Sequence, residues 1–283
     1  MNKYRTFLAV LIIIIVVGLW FYLKQQSESP LGDNVFGPPE PVTLPEEAGA
    51  DGKRPEIKYP VPEIRVLTEP AVPEGETGEL RSLPPLDKSD EAMQFELENL
   101  FGKETVAELF LIKAVIRHFV VTVDNMTGRK LPQQYVFTTP PPDRFAVDKK
   151  SEDEIYLSAD NYRRYERFVN LIDNLDVDRV TVVYRNYYSL FQEAYEDLGY
   201  PDQYFNDRFI EVIDHLIETP EANEPIRLIR PKVFYQFADP ELESLSAGQK
   251  IMIRMGPENS ARVKAVLHEL RARLAGFVGK KEQ

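Results

Sequence analysis

The sequence predicts a mainly α-helical protein, in which an N-terminal transmembrane helix and a proline-rich linker precede a bundle-like helical domain with a small β-hairpin. Three observations support this prediction. Residues 7–23 form an uncharged apolar run, and proline is concentrated in residues 27–82. Apolar residues then recur at spacings of three and four, which is the period of an amphipathic helix. We therefore expect an anchor at residues 1–26, a linker at 27–82 and a globular domain at 83–283.

The first region is expected to cross a membrane once. The run from Phe7 to Leu23 contains no charged residue, and its length reaches the lower end of the ~17–25 residues that span a bilayer. It is longer than the ~7–15-residue apolar stretch of a cleavable signal. Lys3 and Arg5 precede the run and only Lys24 follows it closely. The positive-inside rule therefore places the N-terminus in the cytoplasm and the globular domain across the membrane.

The linker is acidic, rich in proline and poor in large apolar residues. Such a composition cannot bury a core and is typical of extended, disordered spacers. Within it, residues 53–67 (KRPEIKYPVPEIRVL) alternate enough to dock in a groove or along a sheet edge. A spacer is the preferred interpretation, because proline-rich tracts usually separate domains.

Helices and one hairpin are predicted in the globular domain. Helical patterns occupy residues 90–101, 112–126, 160–172, 246–255 and 257–274. Gly102 is expected to end the first of these helices, Ser246 to cap the fourth and Pro257 to begin the fifth. Residues 144–148 and 154–158 are expected to form a β-hairpin around a charged turn.

A helical hairpin over residues 177–220 organises the rest of the domain. Its first helix is predicted to run unbroken from Val177 to Leu198, with its tyrosines and phenylalanine on one face. Gly199 and Pro201 indicate a sharp corner, after which Asp202 is expected to cap the second helix. The short corner predicts that the two helices are antiparallel neighbours around one core.

Composition excludes several classes of function. The chain has no cysteine, so it has no disulfide, thiolate metal site or cysteine nucleophile. Its formal net charge of −12 argues against nucleic acid as a partner. The three histidines form no metal-binding motif and no phosphate-binding loop is present, so we expect neither a metal nor a cofactor.

Seven residues are candidates for binding, although each has a structural interpretation beside it. Asn206 lies at the margin of an apolar helix face and is expected to bond the Gly199–Tyr200 corner, or else a ligand. The carboxylates near His215 are expected on a solvated face, with an acid–base or metal site as the alternative. A basic C-terminal third could contain an anion site at residues 254–259. The candidates are Tyr200, Asn206, Asp207, Arg208, His215, Arg254 and Asn259.

Several long segments resemble the family called domain of unknown function 3014. They are the 184–220 hairpin, FADPELESLSAGQK at residues 237–250 and RMGPEN at residues 254–259, with VTVDN at 121–125 and KLP at 130–132 as earlier matches. The resemblance covers about residues 83–274. It implies a proteobacterial membrane-anchored envelope protein with a helical domain, and it implies no activity or catalytic residue.

Two functions are compatible with these features. The first is a binding or scaffold protein of the bacterial inner membrane that presents its helical domain to a protein partner on the periplasmic side. The second is an envelope enzyme, or a domain that binds a small anionic ligand. The second requires the candidate polar residues to converge in one cleft.

Overall fold

The computed structural model describes residues 56–61, 83–135 and 137–276. The predicted span from Phe7 to Leu23 lies outside these residues. Within the described ranges, no helix is both long enough and apolar enough to pass through a bilayer. These ranges contain ten α-helices: α1 (Asp90–Phe101), α2 (Lys103–Leu109), α3 (Val115–Asn125), α4 (Asp160–Asp173), α5 (Val177–Asn186), α6 (Tyr188–Asp197), α7 (Phe205–Ile217), α8 (Pro240–Ser244), α9 (Ala247–Arg254) and α10 (Pro257–Ala275).

The main core lies among helices α1 to α7, α9 and α10. The Phe119 ring, on α3, makes edge-to-face contacts with the rings of Phe191, Phe205 and Phe209 at centroid distances of 5.4, 6.2 and 5.7 Å. Each such pair contributes about 0.5–1.5 kcal/mol beyond the burial of its apolar area. The long helix α10 packs against α4, α5 and α7 and closes the other side of this core. A mainly helical domain is therefore confirmed.

The β-structure is larger than the predicted hairpin. Strands β1 (Val147–Lys149) and β2 (Ile155–Leu157) form that hairpin, and β3 (Arg227–Ile229) and β4 (Gln236–Phe237) extend it. All neighbours are antiparallel in the order β1-β2-β3-β4. The inward side chains bury a second, smaller core that neither hairpin could form alone. This core contains Ile155, Leu157, Ile226, Leu228, Phe237 and Ile253.

The first half of the helical hairpin is two helices, so the prediction of one unbroken helix is wrong. The chain leaves helical geometry at Tyr187, with φ −103° and ψ 9° between α5 and α6. Residues seven apart in an unbroken helix are separated by about 10.5 Å along the axis. The break instead brings the rings of Tyr184 and Phe191 to a centroid distance of 5.3 Å. Both aromatic side chains are thereby buried in the same core.

The start of α7 also differs from the prediction, because Asp202 does not cap it. The N-cap position is Tyr204, which makes no side-chain capping bond. The free amides of the first turn are satisfied from α6 instead. The amide of Phe205 donates to Oε1 of Gln192 at 2.9 Å, and the amide of Asn206 donates to the Tyr188 hydroxyl at 3.3 Å. Tertiary contacts thus replace a local cap.

Candidate functional site

A cleft of about 610 Å³ opens where the α6–α7 corner meets residues 56–61. We call residues 56–61 (EIKYPV) the docked segment. We call the surface of α6, the corner and α7 that this segment contacts, together with the adjoining opening, the peptide cleft. One side of the opening is the docked segment, and the other is formed by α6, the corner and the exposed side of α7. Wall residues used below are Gln192, Tyr204, Asp207, Arg208, Glu211 and Asp214.

The docked segment is held mainly through its backbone. The carboxylate of Asp207 accepts two consecutive amides, those of Lys58 at 2.9 Å and Tyr59 at 2.8 Å. The side-chain amide of Asn206 donates to the carbonyl of Tyr59 at 2.8 Å. The hydroxyl of Tyr204 accepts the amide of Val61 at 2.9 Å. Pro60 has no amide hydrogen, so Asp207 and Tyr204 together accept every backbone amide from residue 58 to residue 61.

Two side chains of the docked segment enter the domain. Val61 is buried and joins the main core, and Tyr59 packs against that core while partly exposed. The hydroxyl of Tyr59 also lies against the Arg271 guanidinium, whose pKa is raised mainly by its hydrogen bond to Asp214 and further by Tyr59. In contrast, Ile57 is 49% exposed. The domain therefore contacts an aromatic side chain just before the proline and an aliphatic side chain just after it.

Asn206 is positioned by the tyrosines of the hairpin. It is fully buried, and its Oδ1 accepts a hydrogen bond from the Tyr184 hydroxyl at 3.2 Å. Burial raises the pKa of Tyr184 well above its ordinary value, so that hydroxyl remains a donor at neutral pH. The side-chain nitrogen of Asn206 must then point to Tyr59. Asn206 does not bond the Gly199–Tyr200 corner, because the docked segment and Tyr184 already take both ends of its carboxamide.

Arg208 and Tyr200 stabilise the wall and do not contact the docked segment. Nε of Arg208 lies 2.9 Å from Oδ1 of Asp124, and its terminal nitrogens donate to the Asp124 carbonyl and to Thr127, each at 2.7 Å. The hydroxyl of Tyr200 donates to the same carboxylate at 3.3 Å, and its ring stacks on Tyr195. These contacts join the corner and α7 to the C-terminal end of α3.

The open part of the cleft is acidic. Its walls include Glu196, Asp202, Asp207, Glu211 and Asp214, with Arg208 as the base on the α7 side. Arg208 is already engaged by Asp124 and by Glu211, the latter at 2.9 Å. The cleft therefore presents unfavourable electrostatics to an anion and favourable ones to a basic side chain such as Lys58.

The other candidate residues lie elsewhere. His215 is nine residues after Asn206, about 13.5 Å along α7, and its Nε2 is 2.8 Å from Oγ of Ser246. The same oxygen accepts the Gln249 amide at 3.1 Å, so the prediction of Ser246 as a helix cap is confirmed. Burial lowers the pKa of His215.

Arg254 and Asn259 flank a different corner, between α9 and α10. The guanidinium of Arg254 lies 5.1 Å from the centre of the Phe237 ring. Nδ2 of Asn259 donates to the carbonyls of Tyr162 at 2.9 Å and Met255 at 3.0 Å. This pair connects α10 with α4 and with the small core. The polar candidates are thus divided among three places and do not meet in one cleft.

Several basic residues of the C-terminal third are paired with acids. Arg262 contacts Asp173, and Arg271 contacts Asp214. Lys250 lies 3.1 Å from the Glu243 carboxylate. In the ranges that the structure describes, no group of three or more histidine, aspartate or glutamate side chains could hold a metal ion.

Sequence reasoning missed Tyr204, Tyr59 and Val61 as parts of the site. For residues 53–67 a spacer was the preferred interpretation, a docking peptide was the alternative, and no target was identified for it. No sequence pattern singled out Tyr204, because only the fold shows that its hydroxyl accepts the Val61 amide.

Together, the fold and the cleft define a helical domain that holds a short, bent segment by its main chain. The sequence profile of the family described as "Protein of unknown function (DUF3014)" matches residues 115–271, more than half of the chain. The protein belongs to this family. No curated protein and no solved structure matches the chain. The matched residues include Asn206 and Asp207 but not the docked segment.

Proposed function

We propose that this protein is a membrane-anchored scaffold of the bacterial envelope, whose helical domain binds a short segment of a protein partner in the peptide cleft. The single observation that carries the proposal is the pattern of main-chain hydrogen bonds at Asn206 and Asp207. Main-chain recognition with pockets for alternate side chains is a recurring way in which domains bind extended peptides.

The placement at a membrane rests on sequence. The uncharged run from Phe7 to Leu23 is long enough to span a bilayer, and the bases before it favour a cytoplasmic N-terminus. The domain would then face the periplasm at the end of its linker. A tethered domain suits a scaffold, because the tether keeps the domain near the membrane while allowing it to reach a partner.

The walls of the cleft support a peptide more than a small anion. Its acids outnumber its bases, and the base Arg208 is committed to Asp124. The polar groups that an enzyme would need are separated along α7 and across the α9–α10 corner. A backbone with donors at successive residues is the ligand that this wall matches.

Site-specific photo-crosslinking in cells tests the proposal on the full-length chain. A photoreactive residue replaces Asp202, which lines the cleft, and in a matched control it replaces Val182, an exposed residue of α5 outside the cleft. We expect one protein to be captured from position 202 only. Capture should be lost when Asp207→Ala is added and reduced by excess free EIKYPV peptide. Capture from both positions alike, or capture insensitive to Asp207→Ala, would contradict the proposal.

A further inference from the structure

The peptide cleft has an occupant within this same chain. The docked segment engages the side-chain nitrogen of Asn206 and both oxygens of Asp207, and Tyr184 engages the Asn206 oxygen, so a second segment has no free main-chain partner at these two residues. A partner that binds at this wall must therefore displace residues 56–61.

The docked segment also shows which chemistry the wall recognises. Val61 is 9% exposed and Tyr59 packs on the core beside Arg271, whereas Lys58 contributes its amide and leaves its side chain at the acidic opening. Pro60 fixes its own φ angle and so lowers the conformational entropy lost on binding. The wall thus suits a basic residue, an aromatic residue, proline and an aliphatic residue in succession.

The contact is small enough to be exchanged. It comprises four main-chain hydrogen bonds and two inserted side chains. Two of these bonds are to the Asp207 carboxylate and two are to neutral groups, and their contribution is offset in part by the conformational entropy lost when the segment is ordered. Such a segment binds mainly because the intervening chain keeps it at an effective concentration on the order of 1 mM.

We propose that the peptide cleft recognises partner segments with a basic, an aromatic, a proline and an aliphatic residue in succession, and that residues 56–61 compete for it as a built-in inhibitor. This inference rests on the proposed scaffold function and adds the class of partner segment and its regulation. Binding of a partner then has two steps, release of the docked segment and insertion of the partner's. A partner's apparent affinity equals its intrinsic affinity multiplied by the fraction of time for which the docked segment is released from the cleft.

Fluorescence anisotropy of a labelled EIKYPV peptide tests this inference. The full-length chain, purified in detergent, is compared with a variant whose docked segment is disabled by Tyr59→Ala and Val61→Asp. If the segment fills the cleft about nine-tenths of the time, the disabled variant should bind the peptide about tenfold more tightly. Adding Asp207→Ala to the disabled variant should abolish binding.

Two controls make the comparison specific. Glu258→Ala removes another first-turn carboxylate, on α10, and should leave peptide binding unchanged. A peptide that itself carries Tyr59→Ala and Val61→Asp should not bind.

Equal affinity of the wild-type chain and the disabled variant for the peptide would overturn the proposed competition while leaving the scaffold proposal intact. Failure of the disabled variant to bind would overturn the inferred segment class, and the crosslinking experiment decides the scaffold function separately.

Discussion

Arg208 and Asp124 are joined by both side-chain and main-chain contacts: Nε of Arg208 lies 2.9 Å from the Asp124 carboxylate, and a terminal nitrogen lies 2.7 Å from the Asp124 carbonyl. Burial lowers the pKa of Arg208, but the carboxylates of Asp124 and Glu211 outweigh it and raise that pKa above its ordinary value. The guanidinium is therefore a permanent cation that fixes α7, and with it the peptide cleft, on the end of α3.

Arg208→Lys should destabilise the domain, because an ammonium cannot reproduce the planar fork of donors. Loss of hydrogen bonds to a charged group costs about 1.5–3 kcal/mol, which should lower the midpoint of urea unfolding. Arg163→Lys is the matched control, since the Arg163 side chain is 70% exposed beside Asp160 and should change the midpoint little. Similar decreases in the unfolding midpoint of both variants would show that Arg208 does not fix α7 on the end of α3.

Gly256→Ala should be more damaging than Gly199→Ala, although both glycines have positive φ values, 89° and 105°. A Cβ on Gly256 would lie 2.5 Å from Cγ of Tyr162, whereas one on Gly199 would meet nothing within 4 Å. Gly199→Ala should then cost only the backbone strain, about 1–2 kcal/mol. Gly256→Ala adds overpacking of about 1–3 kcal/mol. Thermal unfolding of the two variants measures the difference, and equal losses would contradict the close packing at Tyr162.

Asp207→Ala should expose the docked segment to protease. The amides of Lys58 and Tyr59 both donate to Asp207, so the peptide bond between them is held against α7. We expect trypsin to cut after Lys58 several-fold faster in the variant, because cleavage follows the population of the released state. Mass spectrometry of a timed digest measures the rate. Glu258→Ala should digest like the wild type, and no acceleration in Asp207→Ala would disprove the anchoring role.

His215 should make stability fall in mild acid. Burial lowers its pKa below the ordinary value of 6.5, so the unfolded chain takes up a proton before the folded one does. Stability is therefore complete above pH 6.5 and is lost as the pH falls below it toward the lowered pKa. Urea unfolding at pH 7.5 and 5.5 should show a smaller acid loss for His215→Gln than for the wild type. His268→Gln, at an exposed position, is the control, and it should lose as much stability in acid as the wild type does.

Helix ends were well predicted wherever one residue type determines the geometry. Gly102, with φ 83°, ends α1 as expected, and Pro257 begins α10. Such residues act through local sterics and hydrogen bonds, which a short stretch of sequence contains in full. The same holds for Ser246 at the start of α9.

Features that depend on distant residues could not be predicted. The break at Tyr187 occurs because two rings share a core, and the cap of α7 comes from Gln192 and Tyr188 on another helix. Strand β3 pairs along the edge of β2, and β4 pairs along β3, so both depend on residues distant in sequence. Asn206 and Asp207 were selected as candidates from their positions on a helix, but their ligand lies almost 150 positions earlier in the chain.

The docked segment gives the domain a second mechanical attachment. The chain enters the domain covalently at residue 83, but a pull applied before residue 56 reaches α7 first, through the bonds at Asp207, Asn206 and Tyr204. These bonds are few and weak individually, so they yield before the helical core does. If a force pulled on the chain before residue 56, rupture of these bonds would take up that force before the helical core bears it.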